Sequence, residues 1–81
     1  MIEFSRHAKR RMKLYGISEN NVFEVLSQGE REILANGKIV FVHDIEKKFS
    51  YPIKVIALQR GGDTLIITAY PVKKRKRPNE S

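Results

Sequence analysis

Polar and apolar positions along this chain follow two periods, and the change falls near residue 30. In residues 5–18, placed at a helical step of about 100°, Leu14, Tyr15, Ala8 and Met12 gather on one arc. Arg6, Lys9, Arg10 and Lys13 take the opposite side. Ser5 is a suitable N-cap and Gly16 a suitable left-handed stop, so a helix is expected between them. A second follows at once. Ser18 caps it, Ile17 and Val22 stand at the spacing of a hydrophobic staple, and Gly29 ends it. Its apolar stripe is Val22, Phe23, Val25 and Leu26, with Glu24, Ser27 and Gln28 outside. The tight Gly16-Ile17-Ser18 link makes the pair a helical hairpin.

Beyond residue 30 the period shortens to that of strands. Segments 30–35, 38–44, 51–60 and 64–72 read as four strands, and Asn36-Gly37 marks a type I′ hairpin turn between the first two. Pro52 lacks an N–H, so the start of the third strand belongs at an edge or outside the ladder. Residues 45–50 read as a loop with Lys47-Lys48 at its tip, Gly61-Gly62-Asp63 turns the chain, and residues 2–4 are a short lead-in. The expected fold is α+β: two N-terminal helices on one face of a four-stranded, mainly antiparallel sheet. In the last strand, alternation puts Leu65, Ile67 and Ala69 towards the helices and Ile66, Thr68 and Tyr70 away from them. Ile66 is as apolar as Ile67, so the reverse assignment is also open.

Composition narrows the class. The 81 residues suit one small domain, 1–72, followed by a basic tail, 73–81, with no apolar period. There is no cysteine, hence no disulfide framework or thiolate metal site, which suits a reducing cytoplasm. No apolar run approaches the roughly 18 residues of a membrane span, and no signal peptide opens the chain. The net charge of +7 is concentrated at two places. One is the first helix, with Arg6, Lys9, Arg10, Arg11 and Lys13; the other is Lys73, Lys74, Arg75, Lys76 and Arg77. Two basic elements flanking a nearly neutral body point to a phosphate-rich partner, most simply nucleic acid. The plainer explanation is a solubilising surface. With no Trp and few aromatics, a base-stacking platform is not expected.

The first helix also holds the candidate chemistry. His7 and Arg11 stand one turn apart, inside the apolar arc between Leu14 and Ala8. Either Arg11 snorkels or pairs with a carboxylate and His7 is a satisfied core histidine, or this face borders a polar cleft. Metal sites are not expected: His7 and His43 are the only imidazoles, and no carboxylate pair has ligand spacing with them. Metal-free phosphodiester chemistry remains. RNA supplies its own 2′-hydroxyl nucleophile and asks of a protein only proton transfer and cations. His7 is a candidate to carry the proton, Arg11 and Arg60 can grip phosphate oxygens, and Thr68 and Tyr70 project hydroxyls to one side of a strand. Ordinary strand composition accounts for Thr68 and Tyr70 equally well, and a solvated strand end for Arg60.

The run His7-Ala8-x-x-Arg11-Met12, then Gly16-Ile17-Ser18, Val22, Val25-Leu26 and finally Ile66-Ile67-Thr68-Ala69-Tyr70 resembles the DUF4258 group of small bacterial, archaeal and phage proteins. That group looks related to RelE-like toxins, colicin-type RNases and EndoU-like nucleases. The resemblance spans nearly the whole chain except the tail. It implies a metal-independent endoribonuclease, without cofactor, whose catalytic positions are His7, Arg11, Thr68 and Tyr70. RNA would be held by Arg6, Arg10, Lys13, Arg60 and the tail residues Lys73, Lys74, Arg75, Lys76 and Arg77. An antitoxin-like protein partner is a further implication. Such proteins often carry a second arginine just before the Gly-Ile-Ser step, where this chain has Leu14-Tyr15. The alternatives are a non-catalytic RNA- or DNA-binding module and a protein that pairs a partner strand at an exposed sheet edge.

Overall fold

The computed structural model describes residues 1–45 and 51–72. The elements are β1 (Ile2–Phe4), α1 (Arg6–Tyr15), α2 (Glu19–Gln28), β2 (Glu30–Ile33), β3 (Lys38–His43), β4 (Ile53–Arg60) and β5 (Asp63–Pro71). The sheet order is β1-β5-β4-β3-β2. The chain starts at one edge, crosses the sheet through both helices, and meanders back from the opposite edge. The sheet is therefore five-stranded and mixed, not four-stranded: the lead-in is a strand, parallel to β5, while all other pairs are antiparallel. Three residues are too few to show a period. Pairing with Thr64–Ile66, sixty-two positions along the chain, is what makes them a strand.

Both helices begin at the serines expected to cap them. Ser5 Oγ accepts the Ala8 N–H at 3.0 Å, and Ser18 and Asn21 form a reciprocal capping box. Gly16 ends α1 at φ 70°. The buried face of α1 is narrower than the apolar arc: only Ala8 and Met12 are buried, and Leu14 is 67% exposed. In α2 the buried apolar pair is Val22 and Val25, beside the buried capping residue Asn21. Phe23 is half out, tilted against Phe4 at 6.1 Å between ring centroids.

The sheet face under the helices follows alternation through Ile39 and Phe41 of β3 and Ile53, Val55 and Ala57 of β4, all buried. Strand β5 breaks it. Ile56 pairs with Thr68 but Ala57 pairs with Ile66, which leaves Ile67 as the extra residue of a β-bulge. Ile66 and Ala69 consequently share the helix-facing side, opposite buried Ala57 and Val55, and neither of the two alternation patterns holds along the whole strand. Between β2 and β3, Asn36 and Gly37 have φ of 65° and 76°, the two positive values of a type I′ turn. The loop at 46–50 and the tail at 73–81 lie outside the described residues.

Two substitutions probe these joints. Ser5 donates its backbone N–H to the Ile66 carbonyl at 2.9 Å and its hydroxyl to the Ile67 carbonyl at 2.8 Å. Ser5→Ala removes the cap and the hydroxyl bond, so it should lower unfolding free energy by about 1–2 kcal/mol. At Gly29 a Cβ would lie 2.5 Å from the Val25 carbonyl oxygen and 2.8 Å from that of Val42. Both are backbone, so Gly29→Ala should cost roughly 1–3 kcal/mol. Urea unfolding, read as a shift of midpoint at constant slope, checks both.

Candidate nucleic-acid interface

Helix α1 packs on β5, and α2 on β3 and β4. Lys9 shares a cleft with Glu19 and Phe23 of α2, so the Lys9 flank of α1 faces its neighbour. His7, Arg11 and Leu14 lie on the far side of the helical wheel from Lys9. There, together with Arg10 and Lys13, they line an open cleft of about 540 Å³. His7 and Arg11 are both exposed, so the reading of a core histidine and a buried, acid-paired arginine is set aside. Arg11 Nη1 donates to the Tyr15 hydroxyl at 3.5 Å, one turn on.

The charge on α1 is one-sided. Arg6, Lys9, Arg10, Arg11 and Lys13 are exposed, the helix has no acid in its first turn, and neither ion pair among the described residues involves it. Arg6–Lys9, Arg6–Arg10, Lys9–Lys13 and Arg10–Lys13 are like charges at three- or four-residue spacing, together costing the helix roughly 1–2 kcal/mol. Arg6 also stands at the positive end of the macrodipole. These cations work against the isolated helix. A bound polyanion would remove the penalty.

The other predicted positions are placed differently. Thr68 and Tyr70 belong to the length of β5 beyond the reach of β1. Their register partners are Ile56 and Lys54, so both face away from the helices. The Lys54 ammonium sits over the Tyr70 ring at 6.0 Å from its centroid, within cation–π range. The four catalytic candidates thus divide between the helix layer and the far face of the sheet, and no hydrogen bond joins them among the described residues. Arg60, at the far end of β4, pairs in register with Asp63 and shares its cleft with Glu3 and Asp63. Carboxylates there make a poor phosphate site. The tail cations, Lys73 to Arg77, lie outside the described residues.

Sequence reasoning missed one pair. His43 Nε2 lies 3.2 Å from Glu24 Oε2, linking β3 to α2 in a partly buried contact. Alternation with Ile39 and Phe41 signals that His43 faces the helices; nothing local signals which residue meets it. Among the described residues no group of three His, Asp or Glu could hold a metal ion, and no helix is long and apolar enough to cross a membrane.

The family model described as "Domain of unknown function (DUF4258)" matches residues 4–71. The chain belongs to the DUF4258 family. Comparison with curated proteins and with solved structures finds no match to either. The matched span runs from the end of β1 to the end of β5, so this DUF4258 domain includes the basic helix and excludes the tail.

Because Arg11 is exposed and its side chain hydrogen-bonds only Tyr15 among the described residues, Arg11→Ala should change unfolding free energy by no more than about 0.5 kcal/mol. A loss of several kcal/mol on chemical denaturation would place its guanidinium in the core network instead.

Proposed function

We propose that this DUF4258 protein binds RNA along the outer flank of α1, with Arg10, Arg11 and Lys13 on successive phosphates. The observation that carries this is the run of like charges on one short helix, without an acid and without a protein partner among the described residues. Such a run weakens the helix unless a polyanion neutralises it. Arg6, on the same helix, adds to the field.

A second reading is catalytic, and His7 favours it. The imidazole opens on the same cleft as Arg11, one turn away, where it can take a proton from a 2′-hydroxyl while the guanidinium holds the phosphate. Attack of that hydroxyl on the adjacent phosphorus expels the 5′-oxygen, which takes up a proton, and leaves a 2′,3′-cyclic phosphate. On this reading the protein is a toxin-like cytoplasmic endoribonuclease that shares its helix-then-sheet plan with RelE-like toxins and colicin- or EndoU-type RNases. Thr68 and Tyr70 would contribute by contacts around the β5 edge.

Fluorescence anisotropy with labelled single-stranded RNA, in chelator and over a salt series, tests both readings. Arg10→Ala and Arg11→Ala should each reduce the slope of log K against log salt by about 0.7. Full slope in both variants would move the RNA elsewhere. If the wild type also yields cyclic-phosphate ends, His7→Ala should slow cleavage by roughly 10² to 10⁴ while binding persists. Binding without cleavage by the wild type would leave the module alone.

A further inference from the structure

The two edges of the sheet are finished differently. At the β1–β5 edge, β1 is only three residues long and the chain leaves it straight into α1. Ser5 takes up the Ile66 and Ile67 carbonyls, and Pro71 has no N–H to offer. Short strands, proline and covering helices are ordinary ways of closing an edge. The β2 edge is also short, four residues with charges at Glu30, Arg31 and Glu32, but it carries no proline and no helix covers it among the described residues. All four residues of β2 are exposed, Ile33 by 71%, and among the described residues no strand pairs with its outer side.

Register fixes the chemistry of this edge. Glu30 and Glu32 pair with Val42 and Val40, on the face turned away from the helices. Arg31 and Ile33 pair with Phe41 and Ile39 on the helix-facing side. The glutamates and valines border a groove of about 400 Å³, with Arg31 at its margin.

A second copy of the chain is a poor occupant. Antiparallel self-pairing about a twofold axis normal to the sheet must match residues of the same face. Centred on Arg31, it sets Arg31 against Arg31 and Glu30 against Glu32; centred on Glu32, it sets Glu32 against its own copy. Like charges directly opposite each other are destabilising.

We propose that the β2 edge docks an extended strand of a different protein, added antiparallel to β2. Read along the incoming strand, its pattern is apolar, basic, acidic, basic, facing Ile33, Glu32, Arg31 and Glu30 in turn. The two basic residues carry long aliphatic stems. These lie over Val40 and Val42 while their charged heads reach the glutamates. Backbone hydrogen bonds to β2 supply affinity, and the alternating charges select the partner. This surface is at the opposite edge of the sheet from the α1 cleft and does not depend on the RNA reading.

The test uses the full chain, isotope-labelled, and two short synthetic peptides centred on Val-Lys-Glu-Lys and on the charge-reversed Val-Glu-Lys-Glu. The first should bind roughly tenfold more tightly at low salt, three favourable cross-strand pairs having become three unfavourable ones. Amide shifts should concentrate at residues 30–34. The double variant Glu30→Lys, Glu32→Lys, confirmed folded by its amide spectrum, should prefer the reversed peptide. Equal affinities, no binding at millimolar peptide, shifts centred elsewhere, or a dimer of the chain broken by the double variant would each overturn the proposal.

Discussion

Ser5 holds three elements together at one point. Its backbone N–H extends the β1 ladder onto Ile66, its hydroxyl donates to the extra carbonyl exposed by the bulge at Ile67, and the same oxygen caps α1 through Ala8. A hydroxyl can donate once and accept as well, and here both capacities are used. The bulge and the cap therefore depend on each other. Without the extra residue in β5, the Ile67 carbonyl would not be offered to Ser5; without Ser5, the sheet edge and the helix start would each keep an orphan polar group. The start of α1, and with it the face it turns to β5, is set at this joint.

The choice of face decides what the basic helix can do. Only Ala8 and Met12 are committed to the core, so most of the helical surface is free to carry charge. The cost of four like-charged pairs falls on a helix already anchored by its cap and by two buried side chains. Tertiary packing holds α1 in place and permits a charge pattern that an isolated peptide of this length would not tolerate. Stability comes from one narrow stripe, and the rest of the helix carries the exposed cations. The Glu24–His43 contact helps to hold the second helix, α2, over β3.

Sheet closure adds a further constraint. The first strand completes its pairing only with the last, so the edge beside α1 is finished by residues from both ends of the described domain. The opposite edge is formed by β2 within a local hairpin, and nothing later in the described chain returns to cover it. One edge is closed by the fold and the other is left to chemistry from outside.

Local signals in the sequence were strong enough to specify both helices, their serine caps, the Gly16 stop, the Asn36-Gly37 turn and the presence of β3 and β4. Each depends on interactions within a few residues, which a single sequence displays directly. The basic character of α1 was equally legible, and so was the pairing of His7 with Arg11 on one face. Burial was not. Leu14 and Ala8 look alike on a helical wheel, and only the position of β5 decided that one is exposed and the other buried. The three residues of β1 became a strand through Thr64–Ile66, far along the chain. The extra residue at Ile67 has no sequence mark, yet it brought Ile66 round to the helix side, while Thr68 and Tyr70 stayed on the far face where alternation put them. The meeting of Glu24 with His43 is of the same kind. These features arise from contacts between distant segments, and local propensity does not encode which distant partner a residue will meet.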